Sequence, residues 1–188
     1  MKNVCLLILL LTALEASAQG VFSNHTNAAI EKVIQDYPNQ FKNIRGALLL
    51  QNQHTADYNS IIQIPGAISC IVVKPNSSKT DAVYWKAELL ETNSFNEARS
   101  KYKELYNQIR NSIVRIRGEK PYILSGQYEM PVEKKRFQTV VFNMLPSVGE
   151  MRKLKVQLLL LRQGSSWKLS VIVFDREDIT GTEQAMSW

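Results

Sequence analysis

The chain has 188 residues, 45% hydrophobic and 21% charged, with a formal net charge of +6 and only two cysteines and two histidines. Six prolines and eight glycines are too few for a fibrous or low-complexity chain, and the apolar content is that of a globular protein. Two cysteines exclude a disulfide-dense scaffold, so the fold has to stand on its hydrophobic core.

Residues 1–18 read as a secretory signal peptide. Lys2 gives the basic start, residues 4–14 are almost wholly apolar, and Ala16-Ser17-Ala18 has the small-x-small form that a signal peptidase cuts. The mature chain is therefore expected to begin at Gln19, in the periplasm or outside the cell. The apolar run is about half of the roughly 20 residues that a membrane-spanning helix needs, and no later segment approaches that length, so no transmembrane anchor is expected. Loss of Lys2 and Glu15 with the signal leaves the net charge at +6. Cys5 lies inside the apolar run and leaves too. Cys70 remains alone in the stretch Ile68-Ser69-Cys70-Ile71-Val72-Val73, where a small buried hydrophobe is expected rather than a reactive thiol.

The expected organisation is one domain at 19–175 followed by a polar tail at 176–188. A helix is predicted over 27–37, since Ile30, Val33, Ile34 and Tyr37 recur at helical spacing behind Thr26 or Asn24 as N-cap. Pro38 interrupts it, and a further turn carrying Phe41 and Ile44 is expected to close on Gly46 as a left-handed cap. Strands are predicted over 47–52, 58–64, 67–74 and 82–91, with Pro65-Gly66 and Pro75-Asn76-Ser77-Ser78 between them. In the fourth, Val83, Trp85, Ala87 and Leu89 fall on one face, and Tyr84, Lys86 and Glu88 on the other.

A second helix is predicted from the capping box Ser94-Phe95-Asn96-Glu97, with Phe95, Ala98, Tyr102, Leu105, Ile109 and Ile113 as its stripe, running to Arg117 and stopping at Gly118. Strands follow over 122–128, 137–144, 154–162 and 167–174. The last two flank Gln163-Gly164-Ser165-Ser166, a type II′ turn by its glycine, so Leu160 should face Leu169, Leu158 face Val171 and Val156 face Val173. Their other face carries Leu159, Leu161, Ile172 and Phe174 among Lys155, Gln157, Lys168 and Ser170. It is too apolar for free solvation and too charged for a deep core.

Ile44-Arg45-Gly46 and Ile116-Arg117-Gly118 each stand between a helix and a run of strands, Ile64-Pro65 matches Met130-Pro131, and Pro75 matches Pro146. This raises the expectation of a tandem duplication of a helix-plus-three/four-strand unit, about 24–91 and 92–175. The predicted fold class is α+β, an antiparallel sheet with two helices packed on one side. In outline it is similar to small exported inhibitor and peptide-binding folds built from tandem α+β units, and the Ala-Gln signal end with a lysine- and asparagine-rich chain resembles exported proteins of Gram-negative bacteria. Fold outline carries no function by itself.

No catalytic constellation is legible. His25 and His54 stand in no metal-ligand spacing, a lone Cys70 builds no thiolate site, and there is no nucleophile elbow, phosphate loop or dinucleotide fingerprint. His54 beside Asp57 is the nearest approach to a base and its partner, and it reads as a solvated polar turn. Glu88 sits beside Lys86, and Asp175, Glu177 and Asp178 cluster around Arg176, an arrangement expected of solvated acids rather than a glycosidase pair. Trp85 and Trp167 read as core. No cofactor or metal is expected.

The basic residues are uneven. Between Arg99 and Arg136 stand ten lysines and arginines against four acids. Arg99, Lys103, Arg110, Lys134, Lys135 and Arg136, with Leu159, Leu161, Ile172 and Phe174, are the candidate binding residues. The solvated face of an amphipathic helix is the plainer reading of the charges. The expected function is a non-enzymatic exported binding protein whose partner is another protein or an anionic envelope component; nucleic acid is the least favoured partner, for want of a groove-reading motif. The alternative is a small-ligand carrier or hydrolase with a pocket between sheet and helices lined by Tyr84, Tyr102, Tyr106 or Trp85. If the mixed face is the binding face, Leu159→Ser and Phe174→Ser should weaken association more than folding.

Overall fold

The computed structural model describes residues 25–76 and 83–175. The expected signal peptide at 1–18, the tail at 176–188 with Trp188, and the pair Glu177 and Asp178 lie outside the described residues.

Helix α1 (His25–Gln35) buries Ile30, Val33 and Ile34 of the stripe its spacing predicts, together with Ala29, and ends two residues before Tyr37, the fourth predicted member. Its end is set by a residue the periodicity does not single out. The Asp36 carboxylate is buried and accepts from the backbone N–H groups of Asn43 at 3.0 Å and Ile44 at 3.2 Å, and from the side-chain amides of Asn39 at 2.9 Å and Asn43 at 2.7 Å. These bonds fold the chain through the short 3-10 turn Tyr37–Asn39 into the first strand. The left-handed residues of this turn are Gln40 and Phe41, both at φ 54°. Phe41 is fully buried, and its packing holds a backbone conformation that costs a non-glycine residue energy. Gly46 is therefore not the cap. It lies in strand β1 (Arg45–Gln51), where a Cβ would stand 3.0 Å from the Asn59 carbonyl oxygen, so close approach of the neighbouring strand is what requires glycine there.

Strands β2 (Thr55–Ser60), β3 (Ser69–Pro75) and β4 (Tyr84–Thr92) complete an antiparallel meander with β1. Helix α2 (Phe95–Ile109) starts as predicted: Ser94 Oγ accepts the Glu97 N–H at 3.4 Å. The reciprocal half of the box is replaced, because Thr92 Oγ1 accepts the Ser94 N–H at 3.1 Å and donates to Glu97. The helix ends eight residues earlier than its spacing predicts. Asn111 turns left-handed at φ 61°, its N–H donates to the Leu124 carbonyl at 2.9 Å, and Ser112 Oγ donates to the Ile109 carbonyl at 2.6 Å. Ile113 then pairs in strand β5 (Ile113–Val114) with β6 (Tyr122–Ser125) instead of extending the apolar stripe.

Strand β7 (Phe137–Leu145) leads through the cis Leu145–Pro146 bond to β8 (Leu154–Gln163) and β9 (Ser166–Asp175). The β8–β9 hairpin has the predicted register throughout, from Gln163 opposite Ser166 to Leu154 opposite Asp175. Gly164 supplies the single positive φ, 61°, that a type II′ turn needs.

The nine strands of the described residues form one sheet in the order β1-β2-β3-β4-β9-β8-β7-β6-β5, every neighbouring pair antiparallel. Both helices pack on one side, α2 across β4, β8 and β9 and α1 against α2 and β5, so the α+β class holds. The core lies between the layers. Val72, Trp85, Val173, Val156 and Phe142 form one fully buried row across five strands, and Cys70, Ala87, Val171, Leu158 and Val140 form the next. Cys70 is thus a core side chain; burial raises its thiol pKa, against which the Ile64 N–H donated to its Sγ at 3.5 Å works. Trp85 keeps its indole N–H satisfied on Ser60 Oγ at 2.9 Å. The internal duplication is not established. Ile44-Arg45-Gly46 opens a strand, whereas Ile116-Arg117-Gly118 lies in the connection between β5 and β6, with Gly118 at φ 85°.

Candidate functional site

A strand sends alternate side chains to opposite faces, so a sheet covered by helices on one side presents the other to the surroundings. On that face, which no helix of the described residues covers, the centre is apolar. Leu159, Ile172 and Phe174 pack as a second cluster apart from the main core, with Tyr84 and Leu161 against them. Around them stand Lys86 with Glu88 at 3.9 Å, Lys168 with Glu91 at 3.5 Å, and Gln157, which donates to Thr139 Oγ1 at 2.9 Å. Lys155 is buried here and donates to the Arg152 carbonyl at 2.6 Å. Burial, and then the Asp57 carboxylate, raise the pKa of the Tyr84 phenol. The mixed character expected of this face is present. Its three central apolar side chains are nonetheless only 6–8% exposed, so they are placed to support the face rather than to be its open part.

The open apolar surface lies beside them, on β7, β6 and β5. Leu145, Ile123 and Ile113 are direct cross-strand neighbours, 44%, 44% and 49% exposed, and Val141 (37%) and Phe137 (60%) continue the strip along β7. Phe137 is the register partner of Leu161, which joins the strip to the central cluster. None of these five was singled out from the sequence. The alternation of 137–145 carried the signal for the β7 members, whereas Ile113 was hidden in the predicted helix and Ile123 in a short strand.

The basic candidates separate into two places. Arg99, Lys103 and Arg110 are exposed on the helix layer, away from this face. Arg99 stacks over the Phe95 ring at 5.8 Å and donates to Asn96 Oδ1 at 3.2 Å. Lys134, Lys135 and Arg136 occupy the exposed turn that runs directly into Phe137, where Lys135 pairs with Glu129 and the Arg136 carbonyl accepts the Arg162 N–H at 2.7 Å. The sheet end is therefore where cations and open apolar side chains meet.

The aromatic residues expected to line a pocket do not converge on one. Tyr102 and Tyr106 are on the buried face of α2, Trp85 is a core side chain on the strand beneath it, and Tyr84 points to the opposite face. The Tyr102 hydroxyl is buried without a hydrogen-bond partner, and burial, with Tyr128 and Glu129 nearby, pushes its phenol well above the ordinary range. A groove of about 570 Å³ lies elsewhere, between the start of α1, one flank of α2 and the turn at Pro65-Gly66. Its floor includes Leu89 and Leu105. Its wall is a chain of polar groups in which Thr26 donates to Gln108 at 2.8 Å, while Gln108 at 3.1 Å and Lys101 at 2.8 Å donate to Glu104.

His54 is exposed at the tight turn before β2, where Asn52 Oδ1 accepts its backbone N–H at 2.7 Å. Asp57 is not in that turn but within β2, and no hydrogen bond joins the two side chains. Asp175 ends β9 and accepts from the Tyr37 hydroxyl at 2.5 Å. Among the described residues no three His, Cys, Asp or Glu side chains gather to hold a metal ion, and no helix is long and apolar enough to cross a membrane. The chain matches no protein-family model, and neither a curated protein nor a solved structure is significantly similar to it.

Proposed function

We propose that this chain is an exported, non-enzymatic binding protein that engages another protein or an anionic envelope component with the helix-free face of its sheet. The observation that carries this reading is the open strip Phe137, Val141, Leu145, Ile123 and Ile113. Open apolar side chains gathered on one side of a sheet, here interleaved with Thr139 and Asn143 along β7, mark a surface that a partner covers. The turn Lys134, Lys135 and Arg136 at one end of the strip supplies charge that steers an anionic partner to it. Export rests on the signal pattern of residues 1–18.

The test is co-sedimentation of purified protein with the envelope fraction of its native cell. Ile123→Ser with Val141→Ser should abolish association while leaving the melting temperature nearly unchanged, since substitutions of exposed side chains usually alter stability by about 0.5 kcal/mol or less. Leu159→Ser is expected to cost about 2–3 kcal/mol, because its side chain is almost fully buried. A double variant that binds as the parent does would refute the reading.

A second reading, a small-ligand carrier or hydrolase, is favoured by the groove and its polar wall. It predicts that Gln108→Ala removes small-ligand binding or hydrolysis and that the sheet-face pair does not.

A further inference from the structure

The two edges of the sheet are unlike. β5 is only two residues long, and its Val114 is buried, which leaves little backbone for another strand to join. β1 at the opposite edge is seven residues long and, among the described residues, pairs only with β2. Leu48, Leu49 and Leu50 follow one another along it and are 51%, 58% and 56% exposed. Exposure of all three, along a strand whose register against β2 shifts on both sides of Leu48, means that no element among the described residues reaches over this edge. Ile61, whose N–H extends the ladder to the Ile44 carbonyl at 2.8 Å, adds a fourth open side chain at 62%.

Open edges are normally blunted by lysine, by proline, by bulges or by a covering element. From Gly46 to Gln53 the chain has no charged residue and no proline. Among the described residues, two register shifts against β2 are the only such device.

We infer that β1 is a self-association edge, and that its occupant is β1 of a second copy of this chain, paired antiparallel into one sheet continuous across the dimer. Charge favours a like partner. Antiparallel pairing centred on Leu49 sets Leu48 opposite Leu50, Ala47 opposite Gln51 and Gly46 opposite Asn52, with Arg45 opposite uncharged Gln53, so no like charges meet. A strand carrying charge would find no counter-charge along this stretch. Elsewhere two protomers of net charge +6 repel, and that repulsion is screened over about 8 Å at physiological ionic strength. Dimerisation should therefore strengthen as salt is added, the opposite of binding to an anion. This edge is distinct from the strip on β5, β6 and β7, and the inference does not depend on the reading proposed above.

Sedimentation velocity on the purified protein, over a concentration series to about 100 μM, tests it by mass action. The parent chain should show a reversible monomer–dimer equilibrium that shifts toward dimer with added salt and is indifferent to reductant, because Cys70 is buried. Leu49→Lys should be monomeric throughout, with the melting temperature and circular dichroism of the parent, since Leu49 is exposed. Ile123→Ser should dimerise as the parent does. A parent chain that stays monomeric, a Leu49→Lys variant that still dimerises, loss of dimer in Ile123→Ser or loss of dimer on reduction would each overturn the inference.

Discussion

Asp36 shows how much of a fold can rest on one carboxylate. It accepts four hydrogen bonds in a buried turn, two of them from the backbone N–H groups of Asn43 and Ile44. Each buried donor left unsatisfied costs about 1–3 kcal/mol, so Asp36→Ala should lower unfolding free energy by roughly 3 kcal/mol, read by urea denaturation. Tyr102 is the converse case. Its hydroxyl is buried and unpartnered, so Tyr102→Phe removes a polar group that contributes no bond and should leave stability equal or raised by up to about 1 kcal/mol. The same residue sets a pH dependence. Burial raises the folded pKa of Tyr102 and of Cys70, so the unfolded chain loses those protons first. The stability they contribute is whole below their ordinary values and falls as pH climbs from about 9 upward. Thermal melts between pH 8 and 11 should show that decline, and it should be shallower in Tyr102→Phe.

At the scale of elements, what could be read in advance was whatever depends on local periodicity. The alternation of β4, the stripe of α2 and the Gly164 turn with its full hairpin register all follow from spacing, because burial on one face selects side chains at a period of two or near 3.6. The end of α2 was hidden for the same reason. Ile113 continues the stripe by one more step of four, and nothing local to it reveals that Asn111 and Ser112 are held by Leu124 and Ile109. Long-range pairing overrode local pattern there. Gly46 illustrates a different failure: a glycine after a helix suggests a left-handed cap, yet here it answers to the carbonyl of Asn59 on the next strand. The candidate face was legible in part. Its mixed composition came from β8 and β9, but which of its apolar residues are open depends on neighbours that only the sheet order places, and those open ones lie on β5, β6 and β7.

For the whole molecule, the sheet order explains why one side can be a scaffold and the other a surface. β4 and β9 lie near the middle, so the most buried rows run beneath α2 and leave the outer strands progressively open. The helix layer and core rows take up most of the large apolar side chains, and besides the β1 edge with Leu48, Leu49 and Leu50 they leave open the strip from Phe137 to Ile113. The most direct measurement of its role is site-specific photocrosslinking in the native cell, with a photoreactive residue placed in turn at Val141, at Lys103 on the helix layer and at Gln108 in the groove. A discrete covalent adduct is expected from position 141 and none from positions 103 or 108. Adducts from the helix or the groove, with none from the sheet face, would contradict it.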